Sequence, residues 1–180
     1  MLHMSQINYE IVLELIKKNN HIRGLAKALN TNQTTIARKM QELEQQNLVD
    51  YVYEGKNKVY FLKNNLETKE YKKIIEHYKL LEIIKKQPRL RKIVEKIKSN
   101  PDIKLAILFG SYAKHTQQES SDIDIYVETK NKQIKKEIEL QDSKINVKTG
   151  DFNKESLLTK EIIKNHIILK GVDRYYELIY

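Results

Sequence analysis

One stretch constrains this chain more than any other: Leu105 to Glu128, LAILFGSYAKHTQQESSDIDIYVE. The apolar run Leu105 to Phe109 is short and ends at Gly110, the pattern of a buried strand that must turn sharply. A second strand is predicted at Ile123 to Val127. Side chains alternate along Asp122, Ile123, Asp124 and Ile125, so both carboxylates share one face, about 6 to 7 Å apart at roughly 3.3 Å per residue. The two isoleucines enter the core. Carboxylates held side by side repel each other, and a folded chain tolerates them best when a divalent cation or a shared proton neutralises them. Hard oxygen ligands of this kind suit Mg2+ or Mn2+.

Gly110-Ser111, ten intervening residues and then Asp122-Ile123-Asp124 form a spacing that resembles the signature of the DNA polymerase β-like nucleotidyltransferases. GSYAK is similar to the GS-x-A-R/K of the small, minimal members, and SSDIDIYV to their SDIDLLV strand. A GS pair alone is common in turns, and a DxD alone is common on solvated strand edges. The two together at this separation are specific. The resemblance covers roughly Pro88 to Tyr180, where the C-terminal NHIILKGVDRYYELIY is similar to the end of the small nucleotidyltransferases. It implies that Gly110 and Ser111 hold the β and γ phosphates of an NTP, that Lys114 adds charge to the triphosphate, and that Asp122 and Asp124 bind Mg2+ and act in catalysis. The chemistry agrees with those roles. Glycine lets the backbone approach phosphate oxygens, and a small hydroxyl beside it donates a hydrogen bond. Metal ions bridging phosphates and attacking oxygen stabilise an in-line displacement.

At 180 residues the chain can hold one ordinary domain or two small ones. No apolar run approaches the roughly 20 residues that span a bilayer, and no charged-then-apolar secretory segment opens the sequence. The expected location is cytoplasmic, with no membrane partner. The absence of cysteine excludes disulfides and thiolate metal sites. The histidines are scattered and form no ligand pair, and only His115 falls beside the expected phosphate-binding turn.

The net charge of +9 is unevenly spread. Residues 1–64 carry 9 Lys/Arg against 6 Asp/Glu, residues 65–100 carry 11 against 5, and residues 101–180 carry 13 against 13. A basic half ahead of a neutral half suggests a polyanionic partner for the former. A lysine-rich proteome accounts for much of the lysine, though not for this asymmetry.

That basic half reads as three helices and a hairpin. Ile7, Ile11, Val12, Leu15 and Ile16 recur at helical spacing up to Lys18; Ile22, Leu25, Ala26 and Leu29 give a second, short helix. Thr31 is the expected N-cap of a third, with Ile36, Met40 and Leu43 inward and Thr34, Arg38, Gln41 and Gln45 on one polar stripe. Val49, Tyr51 and Tyr53, a basic loop from Glu54 to Lys58, and a returning strand through Val59, Phe61 and Leu62 predict a β-hairpin. Residues 5–63, and LAKALNTNQTTIARKMQELEQQNLV in particular, resemble the winged helix-turn-helix domains of prokaryotic regulators. That resemblance implies a DNA partner, with Gln33, Thr34 and Arg38 of the third helix reaching bases and Lys56 and Lys58 of the wing contacting phosphate. The same residues would also serve as a plain solvated face, and such domains also mediate protein contacts.

Leu66 to Lys86 reads as a helix whose stripe includes Tyr71, Ile74, Ile75, Tyr78, Leu80 and Leu81. It either connects domains within a monomer or pairs with its copy in a homodimer. Pro88 marks a boundary, followed by a helix over 89–98 with Leu90, Ile93, Val94 and Ile97 inward. Residues 132–139 read as a helix, or as a helix ending in a strand at 138–140. Lys144 to Lys148 alternates as a strand, and 156–169 as an amphipathic helix pair. The expected fold class is α+β: a winged helix-turn-helix over 1–65, a connecting helix over 66–87 and a nucleotidyltransferase domain over 88–180, with a small mixed sheet backed by helices.

The pattern departs from the family at one point. Active members supply a third carboxylate from the strand after the acid pair, and the matching triplet here is Ile145-Asn146-Val147. Asparagine can coordinate through its carbonyl oxygen but carries no charge and accepts no proton. Glu139 and Asp151 are the nearby acids that could substitute, and Lys148 shares the strand face of Asn146. The functions that follow are a Mg2+-dependent transfer of a nucleoside monophosphate from NTP to a protein or small-molecule acceptor, or a DNA-binding regulator with a degenerate, nucleotide-sensing transferase domain.

Overall fold

The computed structural model describes residues 6–129 and 131–180. The chain divides into two compact units, one up to Ile75 and one from Glu76 to Tyr180. The first contains α1 (Gln6–Lys17), β1 (Asn20–His21), α2 (Ile22–Ala28), α3 (Gln33–Gln45), β2 (Val49–Glu54) and β3 (Asn57–Leu62), and the dividing point falls within α4 (Leu66–Lys86).

In the first unit the apolar periodicity becomes a core. Ile11, Val12 and Leu15 of α1 meet Leu25 of α2 and Ile36, Met40 and Leu43 of α3, with Val49, Tyr60, Tyr71 and Ile75 closing the cluster. The residue capping α3 is Asn32 rather than Thr31: its side chain accepts from the Thr35 backbone N–H at 2.7 Å, a contact worth about 1 kcal/mol. Asn30 and Asn47, just past α2 and α3, take φ of 49° and 60°, the left-handed conformation that ends helices and that asparagine tolerates. The three strands lie in the order β1-β3-β2, all antiparallel. The hairpin is tighter than the sequence suggested, because Glu54 pairs with Asn57 and only Gly55 and Lys56 remain in the turn. Gly55 has φ 61°, the positive value a two-residue hairpin needs at its first turn position.

The second unit holds the remainder of α4, α5 (Leu90–Ser99), β4 (Ala106–Phe109), α6 (Gly110–Ala113), β5 (Ile123–Val127), α7 (Lys132–Glu139), β6 (Ile145–Thr149), α8 (Leu157–Lys164), β7 (Ile167–Lys170) and α9 (Val172–Ile179). Its sheet runs β6-β5-β4-β7, with β5 and β6 parallel and the other pairs antiparallel. Both faces are covered. Ala106, Leu108, Ile123, Ile125, Val127, Ile145 and Val147 pack with Ile93, Val94 and Ile97 of α5 and Ile134 and Ile138 of α7. Leu105, Ile107, Phe109 and Tyr126 face Ile162 of α8 and Val172 and Tyr175 of α9.

Burial on two faces explains what the sequence reading got wrong here. Residues 156–169 are one helix and one strand, not two helices. Ile167 and Leu169 fill one cluster and Ile168 the other, so the run is continuously apolar and carries no alternation to mark it as a strand. Residues 138–140 form no strand, since α7 continues to Glu139. On α4, Tyr71, Ile75, Leu80 and Ile83 are buried, whereas Ile74 and Leu81 are exposed.

Two sets of contacts flank β7. Lys170, at the end of β7, donates to the carbonyls of Lys98 and Asn100 at 3.0 and 2.6 Å, satisfying groups that α5 leaves open at its C-terminus. Within α4, Glu76 is 3% exposed, with Lys79 at 2.8 Å and His166 at 3.5 Å. Burial pushes its carboxyl up, but these two neighbours outweigh that and hold it below the usual carboxylate range.

Candidate functional site

Strand β4 ends where Gly110 turns the chain into the single turn α6, with φ 68°. A methyl group there would fall 2.4 Å from Oδ2 of Asp124, so the turn lies directly against the acid and a side chain at this position would displace the carboxylate. The antiparallel register explains the contact, because Phe109 pairs with Asp124. Tyr112 locks the other side of the turn: it is buried, accepts a hydrogen bond from Arg89 and has that guanidinium 5.3 Å from its ring centre.

Asp122 precedes β5 and is exposed, while Asp124 is half-buried inside the strand. Asn146 is the parallel partner of Asp124, and its Nδ2 donates to Asp124 Oδ1 at 2.9 Å. Burial pushes the Asp124 carboxyl above its usual range; the Asn146 amide opposes this, the charges of Asp122 and Glu161 raise it further, and Lys148 lowers it. The acid pair, the glycine turn and the Asn146 amide therefore lie together. Ser111 is half-buried within α6. Lys114, the C-cap of α6, forms an ion pair with Glu161 at 2.9 Å.

The two acids considered as substitutes are placed differently. Glu139 accepts from the backbone N–H of Val147 at 3.1 Å and lies 3.7 Å from Lys135, so it caps the open edge of β6. Asp151 is exposed beyond the end of β6. Among the described residues no group of three or more Asp, Glu, His or Cys is arranged to hold a metal ion. His115 has φ 56°, in the left-handed region that a residue with a side chain seldom adopts. Partial burial and the charge of Lys86 hold its imidazole below the usual range.

Residues 91–175 match the family model described as Polymerase beta, Nucleotidyltransferase. The match contains β4, α6, β5, β6 and β7, and so every residue of the acid site from Gly110 to Glu161. It supports a nucleotidyltransferase-type function for this part of the chain. No curated protein matches the sequence. A solved crystal structure of a toxin-antitoxin with AMP-PNP is 24% identical, covering 51% of this chain and 77% of that one at a TM-score of 0.38.

A second cluster lies in the first unit. Gln33, Thr34 and Arg38 are exposed on α3, Lys56 is in the hairpin turn and Lys58 is on β3, its ammonium 3.9 Å from the Tyr51 ring centre. A groove of about 390 Å3 brings Gln33, Lys56 and Lys58 together with His21, Ile22, Arg23 and Asn57; Thr34 and Arg38 lie outside its lining. Arg38 is paired with Glu42 at 3.0 Å on the helix surface. Arg23 and Glu161 are the two residues that sequence reasoning missed. The pairing of β1 with β3 and the packing of α8 beside β4 bring them in, and no local periodicity signals either.

Proposed function

We propose that the second unit binds a Mg2+-nucleoside triphosphate and transfers its nucleoside monophosphate to a hydroxyl acceptor. The observation that carries this reading is the closure of the Gly110 turn onto Asp124, with 2.4 Å from a would-be Cβ to the carboxylate. A triphosphate lying along the turn would meet backbone N–H groups and the Ser111 hydroxyl, beside two acids and one amide oxygen. That donor set fits Mg2+ or Mn2+. It is all hard oxygen, and Mg2+ is commonly held by one or two carboxylates with water and substrate phosphate filling the rest. Asp122 and Asp124 would hold it, with the Asn146 carbonyl as the third candidate donor, and the ion would neutralise charge developing on the phosphates. Lys114 would hold the triphosphate once turned from Glu161. Incubation with the four α-labelled NTPs and Mg2+ is expected to give labelled product and free pyrophosphate, both lost on EDTA addition. Absence of either product with every NTP would reject the reading.

A second reading rests on the first unit, whose three helices, hairpin and basic groove support a winged helix-turn-helix bound to DNA. In it, Gln33, Thr34 and Arg38 reach base edges, and Lys56 and Lys58 meet phosphate. In the regulator form of this reading the transferase unit has lost catalysis and senses nucleotide. The exposed Leu66 and Ile74 of α4 support pairing with a second copy, as two-fold operators would require. Arg38→Ala is expected to cost specific DNA binding about 1 to 3 kcal/mol, roughly fivefold to 150-fold, in a gel-shift titration on the chain's own promoter. Equal binding by variant and wild type would remove Arg38 from the interface.

A further inference from the structure

A site that works with two divalent ions needs carboxylates enough to hold both, at least one of them shared. The strands fix how many this site can offer. Asp124 faces Asn146 across the parallel β5–β6 pair. That placement follows from backbone register, so no rotamer brings a carboxylate to position 146. Asp124 is itself divided between two neighbours: Oδ2 lies against the Gly110 turn, and Oδ1 accepts from Asn146 Nδ2 at 2.9 Å. An ionised carboxylate only accepts, so the amide turns its NH2 toward Asp124 and its carbonyl oxygen away. A second cation beside Oδ1 would meet the positive end of that N–H dipole. Lys148, the next residue on the same face of β6, adds positive charge there. The remaining acids are engaged elsewhere. Glu139 accepts from the Val147 N–H at the edge of β6, and Glu161 is paired with Lys114. Among the described residues no group of three or more Asp, Glu, His or Cys is arranged around a common point.

We propose that the site takes one divalent cation with each nucleotide, and that Asn146 sets this number by standing where a second ion would need a carboxylate. This rests on the Mg2+-triphosphate reading above and goes beyond it in fixing the ion count. The single ion is the one assigned to Asp122 and Asp124 beside the triphosphate, and the acceptor hydroxyl meets no metal of its own. Asn146 is a positioning residue: its amide orients the Asp124 carboxylate, leaving Oδ2 for the turn side.

Equilibrium dialysis of the intact chain against Mn2+ and a non-hydrolysable analogue of each NTP gives the ratio of bound metal to bound nucleotide. Wild type is expected to show a ratio of about one and Asn146→Asp a ratio of about two, because the new carboxylate supplies the missing charge at the same register position. Thermal unfolding is the second readout. In EDTA, Asn146→Asp sets two carboxylates opposite each other and is expected to lower Tm by about 4 °C or more, with Mn2+ and nucleotide restoring it. A wild-type ratio of two overturns the proposal, and so does a ratio of one in Asn146→Asp. A variant that keeps the wild-type Tm in EDTA overturns it as well, since positions 124 and 146 would then not face each other. Nucleotide bound without Mn2+, or no nucleotide bound in its presence, overturns the Mg2+-triphosphate reading itself and the ion count with it.

Discussion

Asp124→Asn is expected to reduce nucleotidyl transfer by roughly 1,000-fold or more, about 4 kcal/mol of transition-state stabilisation, while leaving the fold in place. The substitution removes a charge without changing shape. An amide oxygen at this position can still accept from Asn146 Nδ2, as the carboxylate does at 2.9 Å, and Phe109 remains its backbone partner across the sheet. Stability should not fall, because the native carboxyl is held above its usual range mainly by burial, a cost that a neutral group escapes. Asp122→Asn should behave alike, since Asp122 is exposed and precedes the strand. Labelled transfer and thermal unfolding, measured on the same preparations, separate the two effects. Transfer within tenfold of wild type in both variants would place the chemistry elsewhere.

Gly171→Ala should have the largest effect on stability. This glycine connects β7 to α9 with φ 84°, and a Cβ would lie 2.0 Å from the Lys104 backbone oxygen. A left-handed conformation costs a non-glycine residue about 1 kcal/mol or more. Forcing a methyl group into packed backbone adds about 1 to 3 kcal/mol, because no side chain is available to swing aside. Together they predict about 3 kcal/mol, a fall in Tm of roughly 10 °C or more for a unit of this size. Gly55→Ala is the control: Gly55 has a similar φ of 61° but nothing within 4 Å of its Cβ, so only the smaller conformational cost remains. Equal shifts for the two variants would mean that the contact with Lys104 contributes nothing.

The elements most legible in the sequence were those where one local signal sufficed. Alternation placed β5 at Ile123–Val127 with both isoleucines buried, and helical spacing placed Leu90, Ile93, Val94 and Ile97 on the inner face of α5. The glycine-serine turn and the acid pair were read from spacing, and the sheet register brings Gly110 against Asp124. Legibility ended where position depends on partners distant in sequence. β7 lacks alternation because both its faces are covered. The α3 cap depended on where the helix begins: α3 starts at Gln33, so Asn32 rather than its neighbour Thr31 holds the cap position and reaches Thr35. Glu161 is 47 residues from the lysine it meets, and nothing along α8 distinguishes it from an ordinary solvated acid. Among the described residues no helix is long and apolar enough to cross a membrane.

The most direct measurement is a calorimetric titration of the intact chain with Mg2+ and a non-hydrolysable NTP, repeated with Asp122→Asn and with EDTA. The account predicts saturable binding for wild type, at least about tenfold weaker in the variant and absent with EDTA, in keeping with a site where phosphate and metal depend on one another. Binding of no nucleotide in the presence of Mg2+, or binding indifferent both to the Asp122 charge and to chelation, would contradict it.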